Sequence, residues 1–590
     1  MYDISILLDP AGYDMRRLLK IAGNLAGRIP WRAVLIWIAM SACTIADLDT
    51  LLFREVVYET QDAAANSLQI RRAKRFEEFE GNYSRWGFHH PGPAYFYLFA
   101  LGEAVFHDAI RTAASPHAAH ILTNILFQCA CYAYGIDALA RRSRRRWYLP
   151  LALLIWVLHV STIRFAHLGT AANVWPPHLL GGPLFAFLVS LADFAAGASK
   201  AVLLVILLGG ILVHSHVGQT LLVAPLFLLA TGSYWRARRD TMGATPKSPP
   251  DKSPELRHFL RAGAVLLLFL FPMCVELLSR PDNNFVRYLN TRSTESTPRS
   301  WKTATAYLGT FFLYDQRVGD NEYLDAARAE ILWRRTCFGF ALLGAVVLGV
   351  AYRLRLESAA LTIAAQAAAQ TRDLRFWRRL LLLVLTATML TLCWARFQPG
   401  RLYYFNTYYA GSLMLIVLYL ALDGCLPNAR DRSLRDCRET WLAAGAILFC
   451  GTLGLAPFSR QRDYTWPPVG NDQHFERSIG PEVAGILARH PPERRPVVVR
   501  FPVWKWDEAT TLVLELDRRG VVALVDPSWE STFGRTRVWR SERFPTPVFW
   551  IITGETDKLE APDALHFMQS AVIVQQNDRD DPRWKEPIRD

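Results

Sequence analysis

The sequence predicts a mainly α-helical, polytopic membrane protein with a small C-terminal α/β domain. Of its 590 residues, 51% are hydrophobic and only 20% are charged, and the apolar residues form long blocks, which is typical of membrane-spanning helices. Short loops rich in Lys and Arg separate several of these blocks. After about residue 458 the blocks give way to short β-branched runs around one amphipathic helix. The same composition excludes a disordered chain or a disulfide scaffold.

The apolar blocks predict eleven membrane spans in a body that covers residues 31–457. An odd number of spans places the two termini on opposite sides of the membrane. The predicted spans are 31–46, 118–139, 148–165, 178–196, 200–215, 217–234, 261–279, 335–352, 380–395, 406–423 and 440–457.

The basic loops decide the orientation of these spans. Under the eleven-span count, five Lys/Arg clusters fall on one side, which the positive-inside rule identifies as cytoplasmic. Residues 1–30 are then a cytoplasmic segment, and two long loops, 47–117 and 280–335, lie on the outer face together with a C-terminal domain, 458–590. These clusters account for the net charge of +13, so nucleic acid is not expected as a partner.

The first outer loop contains two helical segments. Residues 91–106 are apolar but too short to cross the bilayer, since about 24 Å of helix falls short of the roughly 30 Å hydrocarbon layer. We expect an interfacial or re-entrant helix that starts at Pro93, with Tyr95, Phe96, Tyr97 and Phe99 at headgroup depth. Residues 59–80 predict an amphipathic helix that lies along the membrane surface.

The C-terminal segment predicts a small α/β domain without a catalytic motif. In its helix, apolar residues recur at i, i+3, i+4 and i+7, and Gly520 follows as the expected cap. The predicted elements are 497–501, 507–519 (the helix), 521–525, 537–539, 548–553 and 571–575.

Asp47 and Asp49 stand where the first span meets the outer face, and they are the predicted catalytic carboxylates. A carboxylate at the membrane surface is costly unless it is solvated or paired. Asp47 is suited to act as general base on a hydroxyl, and the two carboxylates at i, i+2 could hold a divalent cation. The alternative is that both are simply solvated at a span end.

His89 and His90 precede a Pro-Gly-Pro turn, and His90 is the third predicted catalytic residue. Imidazole transfers protons near neutral pH and hydrogen-bonds phosphate or sugar hydroxyls. The alternative is that the histidines only cap the turn.

Other polar residues recur at span ends assigned to the outer face. Arginine can clamp an anionic phosphate, while His, Asn and Tyr orient hydroxyl groups. His214 and His216 lack a third nearby ligand in the sequence, so a zinc site there is not expected. Together with His89, the predicted substrate-binding residues are Tyr97, Arg164, Asn173, His178, His214, His216, Glu276, Arg280, Arg396, Arg401 and Tyr404.

The order of these features resembles the GT-C superfamily of membrane glycosyltransferases. The resemblance covers roughly residues 31–457 and rests on the acidic residue after the first span, His90-Pro91-Gly92-Pro93, Asn173-Val174-Trp175-Pro176-Pro177, His216-Val217-Gly218 and Glu276. It implies a bacterial inner-membrane enzyme that takes sugars from polyprenyl phosphate at the periplasmic face, with Asp47 as catalytic carboxylate. The chain differs in having two histidines where many members have a lysine before the prolines.

Three functions remain open at this stage. The first is an inverting glycosyltransferase with a polyprenyl-phosphate sugar as donor and an envelope glycan or lipid as acceptor, in contact with membrane lipids. The second is a flippase for lipid-linked glycan, which predicts ionisable residues near the bilayer midplane. The third is a non-catalytic envelope scaffold. No cofactor is required by the enzyme hypothesis, although a divalent cation is compatible with it.

Overall fold

The computed structural model describes most of the apolar part of the chain and portions of the C-terminal part. The described residues are 30–54, 56, 58–84, 87–143, 145, 147–165, 173–243, 253–279, 283–293, 298–313, 323–324, 329–337, 344, 347–352, 368–398, 400–426, 496–501, 506–539, 548–553, 564–567 and 571–576.

The apolar part forms helices throughout the described ranges. These are α1 (Trp31–Asp47), α2 (Asp49–Phe53), α3 (Gln61–Lys74), α4 (Ala94–Gly102), α5 (Pro116–Arg142), α6 (Tyr148–Phe165), α7 (Gly181–Ala195), α8 (Val202–Ser215), α9 (Thr220–Gly243), α10 (Ser253–Ser279), α11 (Asn284–Ser293), α12 (Trp301–Phe312), α13 (Ala368–Phe397) and α14 (Ala410–Cys425).

Helices occupy the positions of nine predicted spans, and parts of the span predicted at 335–352 are also helical. The span predicted at 440–457 and the segment 1–29 lie outside the described residues. Among the described residues, four helical segments are long and apolar enough to cross a membrane: Pro176–Ala195, Val217–Asp240, Glu255–Ser279 and Arg372–Phe397. Helix α10 illustrates the environment they need, because Leu267, Leu268 and Phe271 are 67%, 73% and 61% exposed. Such an apolar surface suits lipid rather than water.

Helix α7 lies at the centre of the bundle and packs against α5, α8, α9 and α13. Its residues are almost all buried, including Leu184, Phe185 and Phe187. The other helices of the bundle therefore surround α7, and their outward faces are more exposed than the faces that contact it.

The aromatic helix of the first loop begins directly after Pro93, as predicted, but its rings do not form a belt at the surface. Helix α4 continues as a π-helix over Glu103–Ala109. Tyr95, Phe96 and Phe99 are at most 5% exposed, because α4 packs against α3, α5 and α8. The protein interior, rather than lipid headgroups, surrounds these three rings.

The expectation of a surface helix at 59–80 is wrong. Helix α3 is buried along most of its length, and Leu68 is only 1% exposed. The arginines that suggested lipid binding have protein partners instead: Arg71 pairs with Asp517, and Arg72 donates hydrogen bonds to Glu78 (2.8 Å) and to the Phe533 carbonyl (2.9 Å). An amphipathic pattern fits a helix between two packed bodies as well as one on a membrane.

The C-terminal part contains a five-stranded mixed sheet with helix α15 (Trp506–Arg518) and the short helix α16 (Glu530–Phe533). The strand order is β2-β1-β3-β5-β4, and β1 is parallel to both β2 and β3. The strand predicted at 537–539 is instead a 3-10 turn and a single bridge from Val538 to Val525. The strands are β1 (Val497–Arg500), β2 (Ala523–Val525), β3 (Val548–Thr553), β4 (Ala564–Phe567) and β5 (Ala571–Gln576).

Helix α15 ends as the sequence predicts. Gly520 has φ of +80°, and the Val521 amide donates to the Leu516 carbonyl at 2.9 Å. This is the Schellman arrangement, in which glycine accepts the left-handed conformation without a Cβ penalty. The apolar face of α15 packs on the sheet and on Ala64 and Leu68 of α3. A segment of the first loop thus completes the core of the C-terminal part.

The turn before α4 packs against the end of α8. The Gly92 amide donates to the His214 carbonyl at 3.4 Å, and a Cβ at Gly92 would lie 2.3 Å from Nδ1 of His214. His214 cannot easily move away, because it is 3% exposed and its Nε2 is 2.9 Å from the Phe269 carbonyl oxygen. The close approach therefore requires glycine at position 92.

We expect Gly92→Ala to lower the free energy of unfolding by about 1–3 kcal/mol, because overpacking a rigid contact has that cost. The measurement is the thermal unfolding midpoint of the detergent-solubilised protein. Gly232→Ala is the matched control, since a Cβ there meets nothing within 4 Å, and a helical alanine should be neutral or slightly stabilising. Equal midpoints for the two variants would contradict the packing argument.

Candidate functional site

The candidate site is a cavity of about 490 Å³ between the first loop, the α8–α9 turn and the chain that follows α13. This volume is in the range of small-molecule sites. Its lining combines aromatic rings with a few polar groups. The polar and aromatic residues that line it include Asp62, Asn82, Tyr83, Ser84, Phe88, His90, Trp175, His216, Tyr288, Trp394, Phe397, Gln398, Arg401, Tyr403, Phe405 and Asn406.

Three residues singled out in the sequence meet in this cavity: His90, His216 and Arg401. They are far apart in the chain, and the fold brings them to one end of the helices. The two imidazole rings lie 4.6 Å apart between centroids. The convergence agrees with the expectation that polar span ends share one face.

Backbone contacts fix both histidines. The His90 amide donates to the Asn82 carbonyl at 2.8 Å. The Val217 amide donates to Nδ1 of His90 at 3.3 Å, and the Gly218 amide donates to Nδ1 of His216 at 3.1 Å. Since each Nδ1 accepts a hydrogen bond, the proton of each neutral ring is on Nε2.

Both histidines are neutral at pH 7. Burial lowers the pKa of His90 well below its usual value, and the nearby His216 and His89 lower it further. Burial also lowers the pKa of His216 to about 4, against a hydrogen bond with Asn406 that raises it. His90 therefore offers a hydrogen-bond donor to a ligand without adding positive charge.

Asp62 is the carboxylate among the described lining residues, and the sequence analysis did not identify it. It lies in the first turn of α3, and the Tyr83 hydroxyl donates a hydrogen bond to its Oδ1. A charged residue in an amphipathic helix gives no sign of facing a cavity. Only the packing of α3 against its neighbours distinguishes it from a solvated side chain.

Arg401 is the cationic residue among the described lining residues. Its guanidinium carbon lies 4.5 Å from the centre of the Tyr323 ring, a distance suited to a cation–π contact. Within the described part of the chain, no carboxylate pairs with it. Among the described residues its donors have no hydrogen-bond partner, so an anionic ligand in the cavity would meet them.

Several predicted residues have structural partners and do not line the cavity. Nδ1 of His89 lies 3.1 Å from the Gly81 carbonyl oxygen, and the Tyr97 hydroxyl donates to the Glu78 carbonyl. Oδ1 of Asn173 accepts a hydrogen bond from the Trp175 amide, and this bond helps to position Trp175, whose ring lines the cavity. His178 packs between Trp175 and Tyr408.

The other predicted substrate-binding residues that the structure describes also contact structural partners. His214 contacts Gly92, as described above, and Glu276 accepts a hydrogen bond from the Asn284 amide at the start of α11. Arg396 donates to the Arg299 carbonyl and lies over the Trp301 ring. Tyr404 is buried and stacks on Tyr307.

Of the two predicted carboxylates at the start of the first outer loop, Asp49 is not among the lining residues. Asp49 pairs with Arg54 at 2.9 Å and is 45% exposed. Asp47 is the last residue of α1, but its side chain lies outside what the structure describes. The same holds for the Arg164 side chain and for all of Arg280, so their roles stay predictions.

His216 should make the protein sensitive to acid. Its folded-state pKa is about 4, against an ordinary value of about 6.5, so below pH 6.5 the unfolded state binds a proton that the folded state does not. The free energy of unfolding should therefore fall between about pH 6.5 and 4.

The test is the thermal unfolding midpoint of wild type and His216→Gln between pH 4 and 8, in which the variant should show the shallower fall. His107→Gln, a substitution of a partly exposed histidine outside the cavity, measures the effect of losing a histidine elsewhere. Parallel curves for wild type and His216→Gln would rule out a buried neutral His216.

Among solved structures, the chain is similar to the crystal structure of ArnT from Cupriavidus metallidurans bound to undecaprenyl phosphate. The alignment covers 92% of this chain and 97% of that one, at 14% identity and a TM-score of 0.40. No family model and no curated protein matches the chain. At that TM-score the cavity must be interpreted from its own residues.

Proposed function

We propose that this protein is a GT-C-type glycosyltransferase that moves a sugar from polyprenyl phosphate to a glycan or lipid acceptor at the periplasmic face of the membrane. The observation that carries the proposal is the cavity in which Asp62, Arg401 and the neutral pair His90 and His216 line one space with aromatic rings. A carboxylate, a guanidinium and aromatic walls around a sugar-sized space are the groups that transfer from a sugar phosphate requires.

In the proposed reaction the Asp62 carboxylate takes the proton of the acceptor hydroxyl. The hydroxyl oxygen then forms a bond to the anomeric carbon, and the bond from that carbon to the phosphate oxygen breaks. Its electron pair leaves with polyprenyl phosphate, and the configuration at the sugar inverts. Asp47 remains a second candidate for the base, on its position after the first span.

Arg401 is the proposed ligand of the phosphate. The leaving group gains negative charge as the bond breaks, so a guanidinium beside it stabilises the transition state more than the ground state. Neutral His90 and His216 cannot supply that charge, but the Nε2–H of His90 can donate to a sugar or phosphate oxygen, while that of His216 bonds to Asn406. Trp175, Trp394 and Phe405 provide the apolar walls for a sugar ring or the first isoprene units.

The cavity favours the enzyme over the other two hypotheses. A flippase requires polar groups along a path through the bundle, whereas Glu276 and Arg396 have local partners and His90, His216 and Arg401 share a single space. A scaffold has no need for a carboxylate and a guanidinium in one cavity.

We expect Asp62→Asn to reduce sugar transfer by about 100-fold or more, in the range that general-base catalysis contributes, with donor binding largely retained. The measurement is the release of polyprenyl phosphate from a panel of labelled polyprenyl-phosphate sugars, with purified protein and membrane acceptor extract. Asp47→Asn, assayed in parallel, decides between the two carboxylates.

Glu77→Gln is the matched control, because Glu77 is an exposed carboxylate that pairs with Arg75. Full activity of Asp62→Asn at normal protein levels would remove Asp62 from the base role. Absence of transfer by the wild type from every donor in the panel would count against the enzyme itself.

We expect Arg401→Gln to weaken polyprenyl-phosphate binding by about 10- to 100-fold, because one charge-assisted interaction contributes about 1.5–3 kcal/mol. The measurement is the dissociation constant for the lipid by native mass spectrometry or a thermal-shift titration. Arg75→Gln is the control, since this exposed arginine lies outside the cavity. If Arg401→Gln binds the lipid with unchanged affinity, a cationic residue other than Arg401 binds the phosphate.

A further inference from the structure

A second cluster of reactive side chains lies outside the cavity, and the proposed function makes no use of it. Glu59, His117 and His120 each present one potential metal-ligand atom, and these atoms lie within 4.8 Å of one another. The three residues are at most 2% exposed. A tetrahedral zinc ion with bonds of about 2.0–2.1 Å holds its ligand atoms about 3.4 Å apart. Nδ1 of His117 is 3.9 Å from Oε1 of Glu59; Oε2, the oxygen with an acceptor position left, would have to turn toward the ring to complete the site.

The histidines have ring nitrogens without partners. Nδ1 of His117 and Nδ1 of His120 are buried and accept or donate no hydrogen bond among the described residues. A buried polar atom without a partner costs about 1–3 kcal/mol. These two ring nitrogens and the Glu59 carboxylate are electron-pair donors that surround one place. A cation is the kind of ligand that binds such a set of donors.

A further carboxylate orients His120 in the way that metal sites require. Nε2 of His120 lies 2.9 Å from Oε2 of Glu103, which is itself bound to Lys74 at 2.7 Å. Metal-bound histidines almost always give their second ring nitrogen to such a carboxylate, which leaves the other nitrogen for the metal. His120 therefore already has the tautomer of a ligand.

Glu59 keeps an acceptor position for a cation although Arg518 is bound to it. A carboxylate has about four acceptor positions. Arg518 takes one on each oxygen, at 2.7 and 2.8 Å, and the Ser67 hydroxyl takes a third at 3.0 Å. The surrounding network contains four carboxylates, Glu59, Glu103, Asp108 and Glu515, and three cationic side chains, Lys74, Arg518 and Arg519. The excess of carboxylates favours an additional cation.

We propose that Glu59, His117 and His120 bind a divalent zinc ion. Two imidazoles and one carboxylate are a ligand set typical of zinc, with a fourth position left for water. The ion would join the segment before α3 to the start of α5. Through Arg518 it would also support the contact between the first loop and α15.

The first test is the metal content of the full-length protein, purified without chelator or metal-affinity resin and measured by mass spectrometry. We expect about one zinc per chain in the wild type and less than a tenth of that in His117→Gln/His120→Gln, in accord with the loss of two of three ligands. His107→Gln should keep its zinc, because His107 lies outside the cluster.

A second measurement covers the outcome in which the double variant does not fold. Wild type treated with chelator should lose several degrees of thermal midpoint and regain them on addition of zinc chloride alone, since an ion bound only to the folded state stabilises it. Wild type that contains no zinc and shows no response to added zinc overturns the proposal. Both readouts are independent of sugar transfer, so they stand or fall separately from the proposed function.

Discussion

The candidate cavity depends on one tight contact between two turns. The His90–Pro93 turn reaches the end of α8 closely enough that the Gly92 amide bonds to the His214 carbonyl and the Val217 amide bonds to the His90 ring. This contact sets the two imidazoles 4.6 Å apart. A side chain at position 92 would push the turns apart, and His90, two residues earlier, would no longer face His216.

The second constraint is that the buried charged side chains of the first loop must have partners of opposite charge. Arg71, Arg72 and Glu59 lie in or beside a buried helix, where unpaired charges are expensive. Each has a partner, and Asp517 and Arg518 supply two of those partners from α15. The effect is visible in Glu59: burial raises its pKa, but the charge and hydrogen bonds of Arg518 prevail and lower it to about 2. The loop and the sheet are thus held together by charge as well as by the shared apolar core.

The sequence predicts the parts of this protein that depend on local pattern. Apolar blocks predict the helices, and Gly520 predicts the end of α15. The polar turn before α4 and the polar span ends include three cavity residues, His90, His216 and Arg401. It does not predict Asp62, because an amphipathic helix has the same pattern whether it faces lipid or protein. Nor does it predict the Glu59, His117 and His120 cluster, whose members are separated by almost sixty residues and share no motif. Strand β4, with the sequence Ala-Leu-His-Phe, lacks the β-branched run by which its neighbours are recognised.

Helix α3 connects the candidate cavity to the C-terminal part. Asp62 in its first turn lines the cavity, and Arg71 in its last turn contacts α15. Nine residues separate them, so a rigid helix fixes a span of about 14 Å between the two places. Helix α15 also packs on Ala64, two residues from Asp62, and on Leu68. The carboxylate of the cavity and the core of the C-terminal part therefore share one rigid helix.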